Sequence, residues 1–266
     1  RDELAWFESR PLFGEVVAVT RSTRRDAGDF EVLEDLGAAV VHVPLTHQVP
    51  VGGGAPLVKA LASPFTDLVL TSANGARALA TALSAAGKDG RDLSGVRTWA
   101  VGPATASAMR RALGVAADQV PSEPTGEGLV AHATTVGVEG RTFLFPAAAA
   151  ARRVVPEGLV RLGATVIEIA AYETLPLPSG PAHLQSALDA GLSWVALASP
   201  SAVAALAAAM DTLDVGRDAV AVAAIGPTTA SAARAQGLDV RVEAETHTMS
   251  GLAAAIAATT ASDNEE

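Results

Sequence analysis

The residues best placed to do chemistry are hydroxyls at points where an apolar run meets an alanine-rich one. Ile225-Gly226-Pro227-Thr228-Thr229 closes the apolar run 220–225 and opens the alanine-rich run 230–236, the pattern of a buried strand turning into a helix. Glycine permits the tight turn, and proline suits the first helical position, where an N–H would have no helical partner. Thr228 and Thr229 then stand at the positive end of a helix, a seat for a carboxylate or phosphate. Val101-Gly102-Pro103-Ala104-Thr105-Ala106 is the same turn, 124 residues earlier. One such turn alone reads as a helix cap; two at matched places point to a site. Thr71, Ser72, Thr125, Ser199, Ser201 and Thr248 extend the inventory, and Arg21, Arg24, Arg25, Arg152 and Arg153 add positive charge near strand ends. Tyr172, the only tyrosine, is a phenol able to donate a proton or hydrogen bond, and as a lone residue equally a packing group.

The elements that must position these residues alternate along the chain. Apolar runs predict strands at 16–20, 39–43, 67–72, 96–101, 142–145, 165–171, 194–198, 220–225 and 240–244, with helices between. Gly37 and Gly163 end helices as C-cap glycines do. The runs at 39–49 and 165–174 meet no turn signal and read as two long strands. The chain also repeats itself: Leu36-Gly37-Ala38 matches Leu162-Gly163-Ala164 at a spacing of 126, Ser72 matches Ser199 at 127, Gly102-Pro103 matches Gly226-Pro227 at 124, and Thr125-Gly128-Leu129 matches Thr248-Gly251-Leu252 at 123. Alternating strands and helices imply parallel sheets with right-handed crossovers, and ligands sit beyond the carboxyl ends of such strands, where the hydroxyl turns fall. The expected fold is α/β, with two flavodoxin-like lobes of parallel sheet joined by a two-stranded connection. Residues 1–43 with 174–266 form one lobe, 50–165 the other, and 44–49 and 166–173 are the connecting strands, with a cleft between the lobes.

Composition narrows the function classes. The 266 residues are 49% apolar and only 4% aromatic, so the core rests on Val, Leu, Ile and Ala. A net charge of −10 argues against a nucleic-acid partner but leaves room for a small anion, which needs only local positive potential. With no cysteine, disulfides, thiolate catalysis and cysteine-bound metals are excluded. His42, His47, His132, His183 and His247 lack metal-ligand spacing, neither Gly-Pro turn has the dinucleotide fingerprint, and there is no Walker loop or Gly-x-Ser-x-Gly elbow. No signal peptide or membrane-length apolar run is visible, so a cytoplasmic protein with no membrane partner is expected.

At this point the residues resemble the uroporphyrinogen-III synthase family over nearly the whole chain. The matching stretches are Val19-Thr20-Arg21, Leu70-Thr71-Ser72-Ala73-Asn74-Gly75, Val101-Gly102-Pro103-Ala104-Thr105, Ala171-Tyr172-Glu173-Thr174, Ala198-Ser199-Pro200-Ser201 and Ile225-Gly226-Pro227-Thr228-Thr229. The resemblance implies a cyclising hydro-lyase acting on hydroxymethylbilane, a linear tetrapyrrole rich in carboxylates, with inversion of its last ring and no cofactor or metal. It also implies Tyr172 as the group that helps the hydroxyl leave, with Arg21, Thr71, Ser72, Gly102, Thr105, Thr125, Ser199, Ser201, Gly226, Thr228 and Thr229 binding substrate. Residues 6–14 resemble the junction of fusions with a uroporphyrinogen methyltransferase, and Arg1 stands where a methionine would start a chain; a fused or associated methyltransferase is therefore expected, and otherwise a monomer. Two departures stand out: Ala198 replaces the threonine that more often precedes the serine, and the run 145–151 is apolar where relatives are polar. The rival reading is a non-catalytic, two-lobed sensor of tetrapyrroles or anions; Tyr172 favours the enzyme.

Overall fold

The computed structural model describes residues 8–21 and 28–263. In chain order, β1 (Val16–Val19) leads to α1 (Gly28–Asp35), β2 (Ala39–His42) and β3 (Thr46–Pro50). Then come α2 (Ala55–Ala60), β4 (Asp67–Leu70), α3 (Ala73–Ala85), β5 (Arg97–Ala100), α4 (Pro103–Leu113), α5 (Gly126–Val136), β6 (Thr142–Ala148), α6 (Val154–Arg161) and β7 (Thr165–Pro176). The last third holds α7 (Gly180–Asp189), β8 (Trp194–Leu197), α8 (Pro200–Leu213), β9 (Ala221–Ala224), α9 (Pro227–Ala235), β10 (Val240–Glu243) and α10 (Met249–Asp263). The starts follow simple chemistry. Ser72, Thr125 and Ser199 cap helices with their hydroxyls, and proline occupies an opening position of α4, α8 and α9.

The chain divides into two compact units, Arg1–His47 with Leu175–Glu266 and Gln48–Thr174. The sheet of the first unit has the order β10-β9-β8-β1-β2, and its pairs are parallel. Counted within the unit this is 2-1-3-4-5, the flavodoxin-like order. Its central strands β8 and β9 are buried on both faces, while the edge strand β10 alternates. One face packs on α7, α8 and α9 through Leu197, Leu206 and Met210, and the other on α1 and α10 through Val17, Leu33 and Leu252.

The second sheet runs β3-β7-β6-β4-β5. Here β7-β6-β4-β5 repeats β2-β1-β8-β9, with matching registers: Val16 faces Ala39 as Thr142 faces Thr165, and Val17 faces Trp194 as Phe143 faces Asp67. The place of β10 is taken by one parallel bridge, Gln119 to Trp99. The halves are thus the same unit in permuted chain order, and the chain passes between them in β3 and β7. Leu68, Leu70 and Leu79 fill one face of this sheet, and Trp99, Phe143 and Phe145 the other.

The expected long strand at 39–49 is two strands, β2 and β3, broken at Val43-Pro44-Leu45. Pro44 has no N–H to extend a ladder. The Leu45 carbonyl instead accepts from the Leu177 N–H at 2.8 Å, and Val43 and Leu45 are buried. Its counterpart β7 is continuous over 12 residues. It pairs with β6 as far as Tyr172 and lies beside β3 in the same sheet.

Candidate functional site

In the second unit the carboxyl ends of β4, β5 and β6 surround a cavity of about 310 Å³ lined by Thr71, Val101, Pro124, Thr125, Phe145 and Arg152, among others. Each sequence signal has a local cause. Ser72 leaves β4 in an extended conformation, and its Oγ accepts the Gly75 N–H at 3.0 Å, starting α3. Thr125 caps α5 likewise, taking the Gly128 N–H at 2.9 Å and donating to Glu123 Oε1 at 3.1 Å. Gly102 caps α4 with extended backbone and no side-chain bond. A Cβ there would lie 2.6 Å from the Pro124 Cβ, so only glycine lets the Thr125 turn close over the Gly-Pro turn. Thr105 is buried at 6% exposure beneath it.

Tyr172 comes from β7. It is buried at 6% exposure, and its hydroxyl lies 2.9 Å from Ser72 Oγ. The spacing showed two hydroxyls near strand ends, and only the fold brings this pair together. The arginines are less available than their positions suggested. Arg152 pairs with Glu127 at 3.3 Å, and Arg153 with Glu168 at 3.2 Å. Positive potential at this end of the sheet therefore rests largely on the N-termini of α3, α4 and α5. The apolar run 145–151 supplies Phe145 and Ala151 to the cavity wall.

The first unit repeats the turns with different side chains. Ser199 Oγ accepts the Ala202 N–H at 3.3 Å and sits 3.0 Å from Ser201 Oγ, so the serine pair replaces the serine–tyrosine pair. Gly226 caps α9, and a Cβ there would come within 2.9 Å of His247 Cδ2, which stands where Pro124 stands in the other unit. Thr229 is buried like Thr105, while Thr228 is exposed. Thr248 takes the Gly251 N–H at 3.1 Å. Arg21 follows β1, its carbonyl 2.7 Å from His42 Nε2; Arg24 and Arg25 lie outside the described residues. Among the described residues no cluster of His, Asp or Glu could hold a metal ion, and no helix is long and apolar enough to cross a membrane.

A carboxylate held by four side chains lies at the opposite end of the second sheet, and sequence reasoning missed it. Asp67, fully buried at the start of β4, accepts from Arg97 Nε at 2.8 Å, Trp99 Nε1 at 2.8 Å and Thr66 Oγ1 at 2.7 Å, and from Arg141 Nε. Burial pushes its carboxyl up, but the bonds from Arg97, Trp99, Thr66 and Arg141 outweigh that and hold it below the ordinary value. Lying at the amino ends of the strands, it is a structural latch. The sequence offered Asp67, Arg97 and Arg141 only as separate charges at strand starts.

A family profile described as Uroporphyrinogen-III synthase HemD matches residues 30–254. The chain belongs to the uroporphyrinogen-III synthase family. A uroporphyrinogen-III synthase from Synechococcus elongatus is 33% identical over 168 residues, which is 62% of this chain and 62% of the relative. The chain thus matches under two thirds of that relative's length. Among solved structures, a mutant uroporphyrinogen III synthase from Thermus thermophilus aligns with a TM-score of 0.57 at 24% identity, covering 95% of this chain and all of that one. A uroporphyrinogen-III synthetase from Helicobacter pylori aligns with a TM-score of 0.57 at 15% identity, covering 90% of this chain and 96% of that one. These two likenesses concern the fold.

Proposed function

We propose that this protein is a uroporphyrinogen-III synthase: a lyase that removes water from hydroxymethylbilane and closes it to uroporphyrinogen III with its last ring inverted. The observation that carries the reading is the Tyr172 hydroxyl, held by Ser72 at the carboxyl end of a sheet, in a chain whose family acts on a substrate with a leaving hydroxyl. In this reading the C–O bond of the hydroxymethyl group breaks with its electron pair going to oxygen, and Tyr172 supplies the proton that lets water leave. Closure with inversion forms two carbon–carbon bonds to the last ring and breaks the one that joined it to its neighbour, and the proton this ring then releases restores the phenol, so the net loss is one water. The substrate carboxylates bind the N–H groups and hydroxyls at the helix N-termini carrying Thr71, Gly102, Thr105 and Thr125, and those carrying Ser199, Ser201, Gly226, Thr228 and Thr229, with Arg21 beside them. Such fixed donors orient a flexible chain and stabilise developing charge, so positioning does most of the work.

The test is a coupled assay in which hydroxymethylbilane is generated in situ and the oxidised products are separated as type I and type III isomers. An excess of type III over the spontaneous type I is expected, and Tyr172→Phe should lower kcat by about tenfold to a hundredfold while leaving thermal unfolding nearly unchanged. Type I alone would overturn the synthase reading and leave the binding module.

A further inference from the structure

We infer that Ser72 is a positioning residue for Tyr172 rather than a substrate contact. The inference deepens the proposed synthase reading and rests on it. The Ser72 hydroxyl has two internal partners: its oxygen accepts the Gly75 N–H at 3.0 Å, and it shares a 2.9 Å bond with the Tyr172 hydroxyl. A serine hydroxyl carries one proton and two lone pairs. With one lone pair taken by the helix, the arrangement that serves a proton donor is Ser72 O–H donating to the phenol oxygen. The phenol proton is then free to go to the departing hydroxyl of the substrate. When it goes, the phenolate left behind keeps the Ser72 donor, and that serine is polarised by an N–H at the positive end of α3. Burial of the ring at 6% exposure keeps water from replacing the serine.

The repeat argues the same point from the other side. Ser199 occupies the equivalent turn and caps α8, so capping alone needs no tyrosine. Its hydroxyl partner is Ser201, and the spacing that equates 36–41 with 162–167 puts Thr46 at the place of Tyr172. The two units share the cap, but only the second carries the phenol. Ser72 therefore serves two purposes, and Ser199 only the first of them.

The lone tyrosine makes the contact directly readable. Tyrosine labelled with carbon-13 at Cζ gives one resonance, from the carbon that bears the hydroxyl. The experiment compares wild type, Ser72→Thr and Ser72→Gly in that resonance, and all three, together with Tyr172→Phe and the Ser72→Gly/Tyr172→Phe double variant, in the kcat for the type III isomer. Glycine is tolerated at helix N-caps, so Ser72→Gly removes the hydroxyl with little cost to folding. The expected result is a shifted resonance and a kcat lowered severalfold or more in Ser72→Gly, both returning toward wild type in Ser72→Thr. In the Tyr172→Phe background the glycine change should cost almost nothing further. A resonance that stays put in Ser72→Gly, or losses that multiply in the double variant, would overturn the assignment. A wild-type protein that yields only type I would instead sink the synthase reading itself, whatever the resonance does.

Discussion

The two sheets are closed at their amino ends by the same hydroxyl rung and then diverge. Thr66 Oγ1 takes the Thr142 N–H at 3.0 Å in the second unit, as Ser193 Oγ takes the Val16 N–H at 3.0 Å in the first. One residue on, the second unit has Asp67 paired across to Arg97, and the first has Trp194 paired to Ala221. Trp99, which donates to Asp67 and lies beneath the Arg97 guanidinium at 5.2 Å, has Ala223 as its counterpart. One copy buries a charged network where the other buries apolar groups, and the same strands form around both. The carboxyl ends differ less, since the helix caps recur in each unit while the capping serine changes partner and His247 takes the place of Pro124. The fold thus fixes the caps, while the far end of the sheet takes either an apolar or a hydrogen-bonded charged solution.

That contrast can be broken most forcefully at Asp67. Asp67→Ala leaves Arg97 and Arg141 without their shared carboxylate and should destabilise the second unit by about 3–5 kcal/mol, read from urea unfolding followed by tryptophan fluorescence. The pH dependence has a definite sign. Because the folded carboxyl is held below its ordinary value of 3.8, its contribution is present above that pH and is lost as pH falls below it. Wild type should therefore lose stability more steeply than Asp67→Ala below about pH 4, and parallel curves would rule out the latch as a source of acid sensitivity. The Gly-Pro turns give a middling effect. Gly102→Ala drives a methyl into the rigid Pro124 ring and should cost about 1–3 kcal/mol, whereas Gly226→Ala meets the exposed His247 ring, which can turn aside, and should cost about 0.5 kcal/mol. Equal melting temperatures for the pair would show that both loops yield equally. Smallest is the cap itself: Ser199→Ala, losing a 3.3 Å bond, should cost roughly 0.5–1 kcal/mol in thermal unfolding.

Much of this was legible in the chain. Solid apolar runs such as 194–197 became the strands buried on both faces, and Gly102-Pro103 and Gly226-Pro227 became helix starts because proline and glycine act on their own backbone. The break at Pro44 was written there too, but with no glycine or Asx turn beside it the run reads as continuous strand. Other features had no local signature. The exposure of Thr228 and the burial of Thr229 depend on which side of α9 meets the sheet, and the partners of Arg152 and Arg153 come from other elements.

The sequence by itself determined the alternation of strands and helices, the doubling of the unit and the capped helix starts. Each of these is set by periodicity or by the backbone preferences of neighbouring residues. Only the tertiary structure decided that Tyr172 reaches Ser72 and that Asp67 gathers Arg97, Trp99 and Arg141. Those partners are 100 residues apart in the first case and from 30 to 74 in the second, and only sheet order and register bring them within hydrogen-bond reach.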